Sequence, residues 1–329
     1  MMKKKSWAMG IDLGGTKIEI AQVDREGNLG RSEREPTDAF RGPVEVKKKV
    51  AAAVKNFVSQ VGSSPVGIGI GVAGMVDPRQ GIVRLGPNLG WTDVPLKEEL
   101  EKAVNLPVVV ANDVRAATRG EWLFGAGRGC EDFICVFVGT GIGGGIVSGG
   151  RLLSGANDSA GEIGHMMVAV DGPVCACGNR GCWEALASGT AMAEQARALI
   201  RRNPPEAKDF LDLAGGKAES ITAAVVAQAY KKGSLAAATL LDNAARVLIA
   251  GVVTLVNVLN PARCLLGGGV MEGFPDLIGR IDEGVRKRAL APAVEKLEIL
   301  PARLGSKAPV IGAASLVFQN LGGKEPSLF

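Results

Sequence analysis

Residues 6–24 read SWAMGIDLGGTKIEIAQVD, and residues 133–147 read FICVFVGTGIGGGIV. In the first stretch a β-like run over 6–13 ends in Gly14-Gly15-Thr16-Lys17, and extended character resumes over 18–24 with Ile18, Ile20 and then Val23. Glu26-Gly27-Asn28 is a turn signal, and a third strand is expected after it. In the second stretch Phe133–Val138 is a strand and 139–145 a glycine turn. Ile146-Val147 resumes the strand, and Ser148-Gly149-Gly150 turns again. One plan, strand, glycine turn, strand, turn, strand, therefore occurs twice, about 125 positions apart. That is a duplicated supersecondary unit and not a short-period solenoid.

Working outward, Pro43–Val61 carries Val46, Val50, Val54, Phe57 and Val61 at helical spacing. Val66–Val72 is a glycine-interrupted strand, Pro95–Val104 a helix and Val108–Ala111 a strand of β-branched residues. From 183 onward the chain reads mainly helical, interrupted by a strand at Arg263–Leu266, and Ile311–Leu316 reads as a closing helix. A length of 329 residues suggests two domains. The expected division is a small N-terminal α/β domain over 1–111, completed by a C-terminal helix over 306–329, and a larger α/β domain over 112–305.

Apolar residues at 47% and charged residues at 22% describe an ordinary folded chain. A net charge of +4 without a Lys/Arg stripe leaves no electrostatic footprint for nucleic acid. The basic start Lys3-Lys4-Lys5 is followed by a run that Asp12 interrupts, so no signal peptide is read, and a cytoplasmic protein is expected. Val247–Leu259 reads as a buried core helix, too short to span a bilayer, so no membrane partner is expected.

Three glycine clusters carry the chemistry. Glycine lets backbone N–H groups approach phosphate oxygens with no Cβ in the way. Asp12, Gly14, Gly15, Thr16 and Lys17 form one candidate cradle, with a hydroxyl from Thr16 and a charge from Lys17. Gly139, Thr140, Gly141 and Gly143 form a second, and Gly267-Gly268-Gly269 a third. A lone glycine turn often serves geometry only, but two such turns in a duplicated chain suit two halves facing a nucleotide. Gly15 and Gly141 are expected to refuse side chains on that account. Neither turn is a Walker A loop or a Rossmann fingerprint. Asp12, at a strand end beside its cradle, is placed to hold hydrated Mg²⁺ or to cap the turn.

His165, the chain's one histidine, precedes Cys175-x-Cys177-x4-Cys182. One His and three Cys make a tetrahedral set with no open position, which suits structural Zn²⁺; the alternative is three reduced thiols in a tight loop. Asn112-Asp113 lies where a strand meets a helix. A carboxylate there can accept a proton from a hydroxyl, or it can cap the helix, which is its commonest use.

Together the segments DLGGTK at 12–17, ND at 112–113, GTGIGGG at 139–145, EIGH at 162–165, CACGNRGCWE at 175–184 and LGGGV at 266–270 resemble the ROK family of repressors, open reading frames and sugar kinases. The resemblance implies an actin-like, hexokinase-like ATPase fold of two ribonuclease-H-like domains with ATP in the cleft between them. It implies a homodimer or homotetramer. It makes Asp113 the catalytic base, and Asn112, Glu162, His165 and Glu184 ligands of sugar hydroxyls, joined by Gly74 and Asn88. His165 then binds zinc through one ring nitrogen and faces the sugar with the other. Asn88-Leu89-Gly90-Trp91 looks like the glucokinase members, so ATP-dependent phosphorylation of a hexose 6-hydroxyl, glucose first, is expected. Kinases of N-acetylmannosamine, N-acetylglucosamine or fructose, and a non-catalytic sugar sensor, are the alternatives. Repressors of the family carry an N-terminal helix-turn-helix, for which a first strand within ten residues of Met1 leaves no room.

Overall fold

The computed structural model describes residues 6–202, 205 and 207–322. The first five residues of the expected N-terminal domain and residues 323–329 of the expected closing helix lie outside the described residues. The first part of the chain runs β1 (Trp7–Leu13), β2 (Lys17–Asp24), β3 (Leu29–Pro36), α1 (Gly42–Val61), β4 (Ile68–Val72), β5 (Met75–Asp77), β6 (Ile82–Gly86), β7 (Trp91–Val94), α2 (Leu96–Val104), β8 (Val108–Asn112) and α3 (Asp113–Phe124). It continues with β9 (Phe133–Val138), β10 (Ile142–Ser148), β11 (Arg151–Leu152), α4 (Trp183–Ala187), α5 (Gly189–Arg202), α6 (Lys208–Leu213), α7 (Ala223–Lys231) and α8 (Leu235–Leu259). It closes with β12 (Arg263–Gly267), α9 (Gly269–Gly273), α10 (Leu277–Arg288), α11 (Ala291–Val294), β13 (Glu298–Pro301) and α12 (Ala308–Gly322).

The duplication is visible in topology. One five-stranded sheet has the order β3-β2-β1-β4-β8 and another the order β11-β10-β9-β12-β13. In the first, β1 is antiparallel to β2 and parallel to β4, and β4 is parallel to β8. In the second, β12 lies parallel to both β9 and β13, and β10 antiparallel to β11. A third, antiparallel sheet β5-β6-β7, which the sequence pattern did not suggest, is inserted between β4 and α2.

Two compact units result. Residues 6–131, 145–160 and 303–322 form the first, residues 132–144 and 161–302 the second. The first unit runs on past residue 111 because α3 packs against α12. A Cβ on Gly120 would meet Ala308 O at 2.6 Å, and one on Gly312 would meet Ala116 O at 1.7 Å.

β1 is buried on both faces, so it reads as apolar everywhere except Asp12. Trp7, Met9, Ile11 and Leu13 join α1 residues Val46, Val50, Val54 and Phe57 in one core. Ala8 joins Val310, Ile311, Ala314, Val317 and Phe318 of α12 in another. That second contact is close because β1 and β4 carry glycine on this face. A Cβ at Gly10 would stand 1.9 Å from Val310 O, and one at Gly69 would stand 1.8 Å from Ala313 O.

In the second unit, the segment read as Val247–Leu259 is the end of a longer helix, α8, of 25 residues. Ser234 caps its start and Asn260, at φ 46°, ends it. Its length and composition alone would suit a membrane crossing, but more than half of its most apolar stretch is buried in the unit. Leu241, Leu248, Val252 and Val256 are among its buried residues. Trp183 drives its ring against Gly251 and donates from Nε1 to Val247 O at 3.0 Å.

Candidate active site

In the first unit, β8 delivers Asn112 in an extended conformation, and α3 starts at the next residue. Asn112 Oδ1 accepts the Arg115 N–H at 2.9 Å, so the cap is Asn112. Its Nδ2 donates to Gly74 O at 3.0 Å and to Asp113 Oδ1 at 3.1 Å. Asp113 Oδ1 also accepts the Val114 N–H at 2.9 Å. The two roles left open by position are therefore divided between neighbours: Asn112 caps, and Asp113 stands as the first helical residue at the positive end of α3.

The β1–β2 turn closes with Gly14 N–H donating to Lys17 O at 3.0 Å, while Thr37 Oγ1 donates to Gly14 O at 2.6 Å and Thr37 N–H to Thr16 O at 3.0 Å. Gly15 lies against Asn88, in the turn between β6 and β7: a Cβ would meet Asn88 O at 2.5 Å. Asn88 itself is thus the neighbour that excludes a side chain at Gly15. Lys17 Nζ stands 3.9 Å from Glu19 Oε2, so its charge is shared with a carboxylate of its own strand. Glu19, only 1% exposed, also takes Arg34 Nη2 at 2.6 Å and Lys307. Burial alone would raise Glu19, but the hydrogen bonds from Lys307 and Arg34 outweigh it and hold the carboxyl below its usual range. Asp12 differs. Burial pushes it up to about 6, partly opposed by Lys17. A divalent cation beside a buried carboxyl reverses that shift, so Asp12 fits the role of an Mg²⁺ partner.

In the second unit the β9–β10 turn is tied to α4 and α5. Ile142 N–H donates to Glu184 Oε2 at 2.8 Å, Gly189 N–H to Gly139 O at 2.8 Å and Thr190 N–H to Thr140 O at 3.2 Å. A Cβ on Gly141 would stand 2.2 Å from Glu184 Oε2, so Glu184 accounts for that glycine. Gly143 lies in β10, on the same stretch. Gly164, in the short 3₁₀ turn Ile163–His165 that also brings Glu162 and His165 here, packs against Ile142 O.

A cavity of about 510 Å³ opens beside the turn, with Gly139, Thr140 and Gly269 in its lining. Of the triple glycine, Gly267 packs on Phe137 and Ala302, and Gly268, at φ 94°, lies against Val138 O. Both are packed against protein atoms on the side a Cβ would occupy, and Gly269 reaches the cavity. Sequence reading missed Thr190, Arg197, Thr222 and Gln228, which also line it. The available signal was Ser188-Gly189-Thr190 at the head of an amphipathic helix, where Ser188 Oγ accepts the Ala191 N–H at 3.1 Å.

The metal set assembles as its spacing predicts. The ligand atoms of His165, Cys175, Cys177 and Cys182 lie within 4.8 Å of one another. His165 Nδ1 is 3.7 Å from Cys175 Sγ, and Cys177 Sγ is 3.7 Å from Cys182 Sγ. A tetrahedron with Zn–S bonds of about 2.3 Å has edges of about 3.8 Å, so the residues fit Zn²⁺. Gly178 and Gly181, both at positive φ, shape the loop. Burial pushes the Cys182 thiol up to about 12, and a bound cation would favour its thiolate.

Duplicated sheets of this order, with a carboxylate at the end of β8 and glycine turns after β1 and β9, define an actin-like ATPase fold. The chain belongs to the ROK family, which it matches over residues 8–320. It is 36% identical over 309 residues to a glucokinase of Streptomyces coelicolor, covering 94% of this chain and 96% of that one. It is 30% identical over 321 residues to the xylose repressor of Bacillus subtilis, covering 97% of this chain and 78% of that one. Among solved structures, a ROK family glucokinase from Streptomyces griseus in complex with glucose and AMPPNP superposes with a TM-score of 0.86 at 36% identity, covering 95% of this chain and 100% of that one.

Proposed function

We propose that this protein is a sugar kinase that transfers the terminal phosphoryl group of ATP to the 6-hydroxyl of glucose. The observation that carries the reading is the division of labour at 112–113. Because Asn112 caps α3 and anchors Gly74, Asp113 is held at a fixed strand end without being needed as a cap. Asp113 then takes the proton of the attacking hydroxyl, the step that makes the oxygen a nucleophile. Asn112, Asn88 and Gly74 are assigned to sugar hydroxyls, as are Glu162, His165 and Glu184. Glu184 has one carboxylate oxygen fixed by the Ile142 amide, so its orientation is set before a sugar arrives. Zn²⁺ held by His165 and the three cysteines would orient the imidazole ring, leaving its other nitrogen for the sugar.

The cavity beside Gly139 and Thr140 is assigned to the nucleoside, and the two glycine turns to the phosphates. Asp12 would hold hydrated Mg²⁺, which when bound offsets phosphate charge. Kinship with glucokinases at 34–36% identity over nearly the whole chain supports glucose as the acceptor. We assign the activity to the cytoplasm, where ATP is supplied, and we assign a homodimer or homotetramer, to be read by light scattering.

The test is ADP release, coupled to an indicator enzyme, over a panel of glucose, mannose, fructose, N-acetylglucosamine and N-acetylmannosamine. Glucose is expected to give the highest kcat/KM. A higher value for another hexose moves the assignment to that sugar. Binding of sugar with no ADP release from any of them makes the protein a sensor, as in the related repressors.

A further inference from the structure

Arg197 of α5 lines the 510 Å³ cavity. An arginine beside a nucleotide invites reading as a phosphate ligand, but its bonds point elsewhere. Nε donates to Ala218 O at 3.2 Å, Nη2 to Glu219 O at 3.2 Å and to Ile221 O at 2.7 Å, and Nη1 to Glu194 Oε1 at 2.5 Å. A guanidinium has five N–H donors, so four named bonds leave little for a ligand.

Three of the four acceptors are carbonyls of one short segment. There the chain leaves the 3₁₀ turn Ala218–Ser220 and enters α7. The segment's other bonds are local, Ser220 N–H to Lys217 O at 3.1 Å and Ile221 N–H to Ala218 O at 3.2 Å. Ile221 is fully buried, and Thr222 caps α7. Both line the cavity, and the wall continues along one face of α7 through Ala223, Ala227, Gln228 and Lys231. Eight residues of helix rise about 12 Å, the reach of a nucleoside. The end of that wall is fastened to α5 by the guanidinium fork.

We propose that Arg197 is a positioning residue: it fixes the 218–222 segment and so sets the nucleoside-binding face of α7, without itself holding phosphate. The inference rests on the reading of this cavity as the nucleoside site. A lysine keeps the charge but lacks the planar fork that spans several carbonyls, which makes Arg197→Lys the informative variant.

The experiment measures kcat, KM for ATP and for glucose, and the inhibition constants of adenosine and of inorganic tripolyphosphate, each competing with ATP. Arg197→Lys is expected to raise KM for ATP and the adenosine constant about tenfold, equivalent to about 1.4 kcal/mol. The tripolyphosphate constant, KM for glucose and kcat at saturating ATP stay within about twofold. Glu194→Gln, which spares the three carbonyl bonds, stays within about twofold throughout. If the tripolyphosphate constant weakens while the adenosine constant holds, Arg197 is a phosphate ligand and the proposal is wrong. It is equally wrong if neither constant moves. Hydrogen exchange on the unmodified protein covers the case of a variant that does not fold. Adenosine must slow the amides of 218–226 and tripolyphosphate must not, and unchanged exchange with adenosine overturns the proposal. Ala224→Trp separates the two layers of the argument by filling the cavity. If it leaves KM for ATP unchanged, the cavity is not the nucleoside site and the proposal falls with that reading. If it raises KM for ATP while Arg197→Lys does not, the clamp alone is wrong.

Discussion

Asp12, near the end of β1, and Asp113, just beyond the end of β8, are carboxylates on two strands separated by β4, yet they answer to different forces. Asp113→Asn keeps the size and the amide contacts but removes the proton acceptor. We expect kcat to fall by roughly 10²–10⁴ with little change in KM for glucose, measured by ADP release; a variant with half the kcat of the parent would leave Asp113 no role as base. Asp12 is held near 6 by burial, so the folded protein favours its neutral form. The stability this gives is fully present below the ordinary value of 3.8 and is lost as pH rises to about 6. Above that, the fold carries a buried charge at a cost of about 3 kcal/mol. Asp12→Asn should therefore melt several degrees higher than the parent at pH 8 and no higher at pH 3.5, while losing activity at both. Equal shifts at the two pH values would show that the charge is not the cause. At this scale the sequence disclosed which residue types were present and at what spacing. Asn112 and Asp113 are adjacent and both can cap, and only the 2.9 Å bond from the Arg115 amide assigns the cap to Asn112. The burial that raises Asp12 comes with its place in the sheet, between Glu19 of β2 and Gly71 of β4, which the residues around it do not announce.

Turns and helices show how one residue type serves different ends. Gly139 has no atom within 4 Å of the position of a Cβ, whereas Gly15 has Asn88 there at 2.5 Å. Gly139→Ala is therefore expected to raise KM for ATP several-fold with KM for glucose unchanged, because the methyl projects into empty space and meets only ligand. Gly15→Val is expected to raise both constants, because it displaces Asn88. Steady-state titration of each substrate decides, and a Gly139→Ala enzyme with the parent KM for ATP would remove that turn from the nucleotide site. The zinc loop makes the reverse prediction. Cys182 is followed two residues later by Glu184, and His165 is a proposed ligand as well as a proposed sugar contact. Elemental analysis of protein purified without added metal should find one Zn²⁺ per chain. Cys182→Ser should lose it, raise KM for glucose and lower kcat, with KM for ATP near that of the parent. Full zinc content or an unchanged KM for glucose in that variant would separate the metal from the substrate. The strand–turn–strand plan and the clustering of His165 with Cys175, Cys177 and Cys182 were legible because both are local in sequence. The β5-β6-β7 sheet was not, since strands of three to five residues broken by glycine and proline show no alternation long enough to read. Packing glycines and phosphate glycines look the same in sequence, so the close neighbours of Gly267 and Gly268 emerge only in the fold.

Across the whole molecule, the duplicated order of the two sheets was foreshadowed by the two glycine turns, but the membership of the units was not. The first unit is built from three separate stretches, and its β1–β4 face is covered by α12, which begins at Ala308. Gly10 and Val310, in contact through a face too tight for a Cβ, are separated by 300 positions. That arrangement has a consequence for synthesis. A ribosome adding about 5–20 residues per second completes α12 some 15–60 seconds after β1 has emerged. Through that interval the nascent chain presents Ala8, Ala21 and Val23 to water with nothing to cover them. A chain released after residue 302 should bind a hydrophobic dye and yield to protease within residues 6–131, while the chain through 322 resists both; equal resistance would mean that the strands need no cover. Translation order thus exposes the earliest strand for longest, and a holdase chaperone that shields the β1 region until the end of translation would raise the yield of folded protein more than one that acts on the middle of the chain.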